Sequence, residues 1–477
     1  MILDAVHQTI DLTLEEALVP EEHPAMLENL QGNILKSHGR DHVHLLLVQF
    51  TAATAGVRSW LRAFAANWLT SAKEQLAEVD VHRQQIDTGV FGSILLSAGG
   101  YRALGFSQSE IEARFGDQDQ IVRFTAGMAA PLTVQALGDP DPATWEAPYR
   151  SPIHALVLLA AASPSVLEWA SGRVERSLEG LGVVLGREDG NVLRGDHGQS
   201  FEPFGFADGR SQPVFLADDL EEEKTRGGID HWNPLAPLGL ALVPDPFMNE
   251  QDCFGSFLVF RKLEQNVKGF REQLRRVALQ AGIDEELAGA FAVGRFKNGT
   301  PVASHRRSVA DDDYDFNDFN FDRRKETSGA RCPLHAHIRK TNPRGGSVGS
   351  TSASVSEERL RRIVRRGVPY DVRQVREDEA ESGVGLLFLC FQANIGKQFA
   401  FIQQTWANAA DFPSGATGVD PIIGKPIAGQ FQQWRQGWDE LAQCPFNFGQ
   451  FVTLKGGEFF FAPSIPFLRG LVTLAGT

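Results

Sequence analysis

The chain has 477 residues, of which 42% are hydrophobic and 22% are charged, as is usual for a globular protein. This length exceeds that of most single-core domains, so we expect two domains. The net charge of -14 argues against a nucleic-acid partner, because binding a phosphate backbone requires an excess of lysine and arginine. No apolar run approaches the roughly 18 to 20 residues that cross a bilayer, so we expect no membrane partner.

The N-terminal segment, residues 1–7, lacks a basic stretch followed by an apolar core. We therefore expect no signal peptide and a cytoplasmic location. The four cysteines form no Cys-x-x-Cys pair, which argues against a zinc ribbon or a thioredoxin-like motif and fits a reducing compartment. Cys390 lies within an apolar run and is expected to be a small buried core residue.

The first half of the chain predicts an alternation of strands and helices. Apolar runs predict buried strands at 43–50, 91–97, 153–159 and 183–185. Helices are predicted at 57–76, at 107–115 after a capping box, and at 164–178. The order strand, helix, strand, strand, helix, strand suits an antiparallel sheet covered by helices on one face, as in the split βαβ arrangement of ferredoxin-like folds.

A similar order is predicted after residue 250. Strands are predicted at 257–261 and 384–392, and each is followed by a predicted helix, at 267–280 and 395–406. Residues 451–454 and 459–461 flank Lys-Gly-Gly-Glu, which predicts a hairpin. The polar stretch 304–331 predicts a long loop.

Two histidines, His335 and His337, lie two residues apart in the basic run CPLHAHIRKTNPR at 332–344. A neutral imidazole can hold a haem iron from one side. On a strand both rings would face the same way, whereas on a helix they would diverge. A zinc site is the alternative, although further ligands at suitable spacing are missing nearby. Most single histidines are surface residues or hydrogen-bonded core residues, so this pair alone does not establish a haem or zinc site.

Two further runs carry an acid and a cation. Residues 205–209 read Gly-Phe-Ala-Asp-Gly. Their Asp208 either caps a turn or directs a carboxylate into a pocket, where glycine lets the backbone approach a flat cofactor. Arg365 and its neighbour Arg366 offer a permanent cation, which stabilises the charge that develops when a peroxide O–O bond breaks. Sequence separates these two arginines poorly, and a solvated helix face is the alternative for their basic cluster.

In this order, the Gly-x-x-Asp-Gly loop, the Ala-His-Ile-Arg-Lys run and the later arginine resemble the dye-decolorizing peroxidase family of haem enzymes, particularly its longer members. The resemblance covers nearly the whole chain after about the first 25 residues. It implies an α+β fold of two ferredoxin-like domains, each an antiparallel β-sheet covered by helices, of the dimeric α/β-barrel type. We accordingly expect an N-terminal extension (1–25), an N-terminal domain that ends in the Gly-x-x-Asp-Gly loop (26–215) and a C-terminal haem-binding domain (216–477).

The resemblance also implies a haem b cofactor and a role for particular residues. His337 is the implied proximal iron ligand, with ligation by His335 as the alternative. Asp208 is the implied distal acid/base and Arg365 the distal cation. Arg339 would pair with a haem propionate.

Three further residues belong to the implied cofactor site. Leu386 and Phe388 lie two apart on a predicted strand and share a face, which suits the distal wall of a haem pocket, although plain core packing is the alternative. Asp420 would accept a hydrogen bond from the Nδ1–H of the proximal imidazole.

The implied activity is oxidation of dyes, phenols and other aromatic donors by hydrogen peroxide, through a ferryl porphyrin radical. Tyr370 and Trp406 would relay electrons from bulky donors, with packing as their alternative role. Assembly into a homo-oligomer stays open. Two other functions also stay open: a haem carrier or sensor with incidental turnover, which would not need the distal acid and cation, and a structural protein that takes up no haem.

Overall fold

The computed structural model describes residues 10–83, 88–116, 121–195, 198–309, 317–321, 326, 328–371, 380–425 and 428–471. The strands within these ranges are β1 (His42–Phe50), β2 (Phe91–Leu96), β3 (Ala155–Ala161), β4 (Gly182–Asn191), β5 (Leu193–Arg194), β6 (Ser200–Phe201), β7 (Val243–Pro244), β8 (Phe254–Gln265), β9 (Val364–Arg365), β10 (Val368–Asp371), β11 (Val384–Gln392), β12 (Gln432–Arg435), β13 (Gln443–Phe446) and β14 (Val452–Ala462).

The α-helices within the same ranges are α1 (Pro24–Asn29), α2 (Thr54–Asn67), α3 (Ala72–Arg83), α4 (Ala98–Ala103), α5 (Gln108–Phe115), α6 (Pro131–Leu137), α7 (Pro164–Ser177), α8 (Ala217–Arg226), α9 (Val267–Ala281), α10 (Glu285–Val293), α11 (His337–Thr341), α12 (Val355–Arg359) and α13 (Ile465–Gly470). Short 3-10 turns and π-helical segments connect them. Among the described residues, we find no helix with the length and apolar character that crossing a membrane requires.

One antiparallel sheet of ten strands organises the fold, in the order β10-β11-β8-β14-β2-β3-β1-β4, with β7 beside β8 and β9 beside β11. Along the path of eight strands, four come from each half of the chain, and the two additional strands, β7 and β9, belong to the second half. The halves join where Phe461 pairs with Leu96. At the two ends of this path, Gly190 of β4 lies close to β10: a Cβ on this glycine would come within 2.5 Å of the Val368 side chain. The predicted α+β class with ferredoxin-like halves is confirmed.

The largest hydrophobic core contains residues of both halves, including β1, β3, β8, β11 and β14. Cys390 lies in it with a free thiol, as predicted. A second core forms around α9 and α10, and it also includes Phe204 and Phe206 of the Gly-x-x-Asp-Gly region. The loop that precedes the predicted boundary at residue 215 therefore packs against elements that follow it, and the boundary itself stays a prediction.

Most predicted elements are confirmed, but the single helix predicted at 57–76 is wrong. The chain leaves α2 after Asn67 because the Thr70 N–H donates to Gly92 O at 2.9 Å, which ties the segment to β2. A second helix, α3, then begins. Ser71 and Glu74 cap its start reciprocally, since each side chain accepts from the other residue's backbone N–H, at 3.1 and 2.8 Å.

The hairpin predicted around Lys455-Gly456-Gly457-Glu458 is also wrong, because β14 runs through this segment with a bulge between Leu454 and Gly456. A Cβ on Gly456 would lie 2.1 Å from the Tyr149 ring, so the glycine permits close packing here and makes no turn. The helix predicted at 395–406 consists of two π-helical segments, Gly396–Ala400 and Ile402–Ala407. Of the loop predicted at 304–331, residues 310–316, 322–325 and 327 lie outside the described residues.

Candidate active site

A cavity of about 500 Å³ is lined by residues of both halves of the sheet, a volume typical of sites for small molecules and cofactors. Five of the seven residues predicted from the sequence line it: Asp208, His337, Arg365, Leu386 and Phe388. Asp420 does not line the cavity but contacts His337, whereas Arg339 neither lines the cavity nor contacts these residues through a described hydrogen bond. The structure thus brings together an imidazole, a carboxyl group and a guanidinium that are far apart in sequence.

His337 is the first residue of α11, and about a quarter of its side chain is exposed. Its Nδ1 lies 2.8 Å from Oδ2 of the fully buried Asp420. A carboxylate only accepts hydrogen bonds, so Nδ1 carries the proton and the lone pair of Nε2 remains for a metal. Oδ1 of Asp420 accepts from the N–H groups of Ile422 at 2.7 Å and Ile423 at 3.1 Å, which fixes the carboxylate.

His335 does not share this environment. It is 1% exposed and packs on Trp434, with 4.7 Å between the ring centroids. Burial, together with the positive charges of Lys340 and Arg435, lowers the pKa of His335 to about 3. The two rings diverge because His337 begins a helix and His335 precedes it, and only His337 of the pair lines the cavity.

Asp208 also lines the cavity, half-buried, in the loop after β6. Its backbone N–H donates to Ser200 O at 2.9 Å, and its Oδ1 accepts from the Gly209 N–H at 2.6 Å. The carboxyl group therefore stabilises its own turn while the residue lines the cavity, and its role in the reaction stays a prediction.

Arg365 pairs with Cys390 through β9 and β11, and its Nη2 donates to the Arg210 carbonyl oxygen, two residues beyond Asp208. Its neighbour Arg366 is directed to the first half of the chain, where Nε and Nη2 donate to the carbonyl oxygens of Asn33 at 2.8 Å and Ile34 at 3.0 Å. Both guanidinium groups reach the cavity wall, but only Arg365 is tied to the Asp208 loop.

Several buried arginines also line the cavity, among them Arg344, which was not assigned a role from sequence, and Arg362, which belongs to the basic cluster around Arg365. Within the described part of the chain, the hydrogen-bond acceptors of Arg344 and Arg362 are carbonyl, amide and hydroxyl oxygens rather than carboxylates. Burial lowers the pKa of Arg362 to about 9 and that of Arg344 well below its ordinary value. Nearby acids offset only part of the cost of burial: Glu223 and Asp318 for Arg344, and Glu15 and Glu358 for Arg362. Because the cost of burying these cations still dominates, this wall suits an anionic ligand.

Arg344 ends the CPLHAHIRKTNPR run, so the sequence contained a signal for it. It also adopts a left-handed backbone conformation, with φ of 45°, which is uncommon for a residue other than glycine. Its Nη2 donates to Ser211 Oγ, so the run that carries His337 is tied to the segment that follows Asp208.

The remaining walls are apolar. Leu386 and Phe388 alternate along β11 with Leu387 and Leu389. The first pair is half-buried and lines the cavity, whereas the second pair is buried in the core, where Leu389 also borders the cavity. Further apolar lining comes from Val293, Ile338, Phe399, Ile402 and Ile422. An imidazole with an available Nε2, apolar walls and buried arginines that form no hydrogen bond to a carboxylate within the described residues together fit a flat, apolar, dianionic cofactor such as haem.

Arg339 does not line the cavity. Its Nη1 donates to Glu326 Oε2 at 2.5 Å and to Cys332 O at 2.7 Å, and the residue is 2% exposed. It thus fixes the segment before α11, and the described contacts do not support its predicted pairing with a propionate.

Tyr370 and Trp406 are 4% and 1% exposed, and Trp406 Nε1 donates to Thr351 Oγ1 at 2.8 Å. Both side chains pack in the interior, which agrees with packing, the alternative to electron relay. Electron relay by either residue stays a prediction.

Comparison with known proteins gives three findings. Residues 292–413 match a family model described as Dyp-type peroxidase, C-terminal. The multifunctional dye peroxidase DyP2 of Amycolatopsis sp. is 38% identical over 483 aligned residues, which cover 97% of this chain and 99% of that protein. The crystal structure of a DyP-type peroxidase from Anabaena sp. superposes with a TM-score of 0.88 at 42% identity, covering 95% of this chain and 96% of that one.

A dye-decolorizing peroxidase in complex with 2,6-dimethoxyphenol is a more distant structural neighbour. It superposes with a TM-score of 0.73 at 26% identity, covering 94% of this chain and 99% of that one.

Proposed function

This chain belongs to the dye-decolorizing peroxidase family, whose members are haem enzymes that use hydrogen peroxide to oxidise dyes and other aromatic compounds, and from this premise we propose how its own residues carry the reaction. We propose that the cofactor is haem b, that His337 is its proximal ligand, and that Asp208 and Arg365 act on peroxide at the other face. The contact of 2.8 Å between His337 Nδ1 and Asp420 at the cavity wall carries this proposal.

The residues that would hold the haem divide by chemistry. His337 Nε2 would bind the iron, and Asp420 would keep the imidazole electron-rich by accepting its Nδ1–H. Arg344 and Arg362 would neutralise the propionates, which would add a direct counter-charge to two buried cations whose hydrogen-bond acceptors in the described part of the chain are all uncharged. When bound, the haem supplies an iron centre that takes oxidising equivalents from peroxide.

At the distal wall, Asp208 would accept the proton from one peroxide oxygen and return it to the other, so that the O–O bond breaks with water as the leaving group. Arg365 would stabilise the negative charge that develops on the departing oxygen. Leu386 and Phe388 would exclude bulk water, which strengthens both effects because the local dielectric is lowered.

We propose phenols among the electron donors, because a related peroxidase has been crystallised with 2,6-dimethoxyphenol. The cavity wall offers apolar side chains together with cations, which suits an aromatic ring with a polar or anionic substituent.

The test is peroxide-dependent oxidation of 2,6-dimethoxyphenol by the haem-reconstituted protein and by its Asp208→Asn and Arg365→Leu variants. We expect both variants to bind haem, and to react with peroxide roughly 100-fold to 10,000-fold more slowly for a lost acid/base and roughly 100-fold to 1,000-fold more slowly for a lost electrostatic donor. Arg366→Leu is the matched control, and it should retain most of the rate because Arg366 is tied to Asn33 and Ile34.

Two results would contradict the proposed roles. If the Arg365→Leu variant reacts with peroxide at the wild-type rate, Arg365 does not stabilise the leaving oxygen. If the wild-type protein binds haem but oxidises no aromatic donor, it acts as a carrier or sensor.

A further inference from the structure

A partly buried carboxyl group closes the turn that precedes Asp208. Glu202 follows β6, and its side chain accepts from the backbone N–H groups of Phe204 and Phe206, each at 2.9 Å, and from Gln265 Nε2 at 2.7 Å. Its own backbone N–H donates to Phe206 O at 3.0 Å, and its carbonyl oxygen accepts from the Gly205 N–H at 2.8 Å. The turn at 202–206 is therefore built around a single side chain.

The aromatic residues of this turn anchor it in the second core. Phe204 and Phe206 are 3% and 4% exposed, and Phe204 stacks on Phe270 of α9 with 4.1 Å between the ring centroids. With these rings fixed, the Glu202 carboxyl group sets the path of the backbone between them.

Asp208 follows the turn at once. The Ala207 N–H donates to Lys297 O at 2.8 Å, and the Asp208 N–H donates to Ser200 O at 2.9 Å. Only Ala207 separates Phe206 from Asp208, so a change in the turn is passed directly to the Asp208 carboxyl group.

We propose that Glu202 is a positioning residue for Asp208: its ionised carboxyl group keeps the 202–206 turn closed and thereby holds the Asp208 side chain at the cavity wall. The inference rests on the proposed role of Asp208 in the reaction with peroxide. Glu202 acts through the backbone of the turn.

The charge state of Glu202 matters because all three groups that face it are N–H donors. A carboxylate accepts from all three, whereas a neutral acid directs an O–H towards one of them. Burial, and then the negative charge of Asp208, raise the pKa of Glu202, while its three donors lower it, and the balance lies at about 7. Two cations also lie nearby, Lys297 and the guanidinium of Arg271, which approaches Gly205.

The Gln265 side chain can form a hydrogen bond with Glu202 whether the carboxyl group of Glu202 is ionised or neutral. Its Nε2 donates to the carboxylate, while its Oε1 is buried and has no hydrogen-bond partner within the described part of the chain. A rotation of the amide would present Oε1 to the O–H of the neutral acid. The pair would then stay satisfied as pH falls through about 7, but the protonated oxygen is a weaker acceptor than a carboxylate oxygen, so the hydrogen bond from the Phe204 N–H would weaken.

Hydrogen–deuterium exchange of the holoenzyme tests whether ionised Glu202 keeps the turn closed. Exchange is followed on peptides that span 202–208 between pH 5.5 and 8.5. After correction for intrinsic exchange, we expect wild-type protection of the Phe204 and Phe206 amides to fall as pH decreases through about 7. Glu202→Gln is permanently neutral, so protection should be low at every pH, while the haem spectrum stays that of the wild type. Protection in Glu202→Gln that equals the wild type at pH 8 would overturn the proposal.

The rate of reaction with peroxide, measured by stopped flow, is the second readout. Glu202→Gln should react roughly 10-fold to 100-fold more slowly at pH 8, as expected for a displaced catalytic group. Gln265→Met removes one donor that favours the carboxylate, so the midpoint of the protection profile should move to higher pH. A midpoint that stays in place or moves down would overturn the proposal.

Asp245→Asn is the matched control. Asp245 is also buried and holds a loop through three donors, the N–H groups of Phe247 and Ser464 and the Ser464 hydroxyl, but it does not line the cavity. Its variant should leave exchange at 202–208 unchanged. If Asp208→Asn itself reacts with peroxide at the wild-type rate, the proposed role of Asp208 fails, and the exchange profile still decides whether Glu202 holds the turn.

Discussion

The substitution Asp420→Asn separates the electronic role of this carboxylate from its structural role. The fully buried carboxylate accepts from His337 through Oδ2 and from two backbone N–H groups through Oδ1. Asparagine can keep its oxygen on the backbone N–H groups, so the local loop should survive. Its NH₂ group then faces His337 Nδ1, which must act as the acceptor, and the proton moves to Nε2, the atom that would bind iron.

The size of the effect follows from the lost contact. A hydrogen bond to a charged group contributes about 1.5–3 kcal/mol. Loss of a group that orients a metal ligand typically lowers affinity by about 10-fold to 100-fold, or about 1.4–2.7 kcal/mol. The two ranges agree, and we therefore expect haem affinity to fall by roughly one to two orders of magnitude in Asp420→Asn.

Titration of the apo-protein with hemin, followed by absorbance, measures this affinity, and a potentiometric titration should show a higher reduction potential because the imidazole donates less charge. Asp245→Asn again serves as the control for loss of a buried carboxylate that accepts backbone N–H groups. Asp420→Asn with the affinity and potential of the wild type would refute the reasoning.

The remaining predictions concern the arginines and a helix cap. Arg344→Met should weaken hemin binding by about 1.5–3 kcal/mol, or roughly 10-fold to 100-fold, since it removes a proposed propionate partner. Arg339→Met should instead lower the free energy of unfolding by about 3–5 kcal/mol, because Glu326 is left as a buried unpaired charge. If both variants weaken hemin binding equally, the assignment of Arg344 to the cofactor and of Arg339 to stability is contradicted. Ser107→Ala should cost about 1 kcal/mol in denaturant unfolding because it removes a capping box, and Ser163→Ala, at an N-cap without a side-chain hydrogen bond, should cost clearly less; equal losses would contradict the capping argument.

The sequence was informative where local pattern decides structure. The strand predicted at 384–392 matches β11 at both ends, and the capping box at Ser107 opens α5. Predictions from local pattern were wrong where a residue distant in sequence determines the backbone path. Thr70 leaves the helix for a hydrogen bond to Gly92, and Gly456 makes room for Tyr149; neither partner can be read from the local sequence.

The candidate site likewise could be predicted from the sequence only in part. Motifs predicted Asp208, His337 and Arg365, all of which line the cavity, but the spacing of His335 and His337 did not show which of the two rings would do so; the start of α11 determines that. Arg362 belongs to the basic cluster around Arg365, but the sequence does not show that backbone oxygens hold its guanidinium. The roles of buried charges depend on what encloses them, which only the folded chain shows.

The most direct test of the account is the absorbance spectrum of the hemin-reconstituted protein in three forms: wild type, His337→Ala and His335→Ala. We predict that His335→Ala keeps the wild-type spectrum, and that His337→Ala loses it and regains it on addition of free imidazole. The opposite result, in which His337→Ala retains the wild-type spectrum and His335→Ala loses it, would contradict the account.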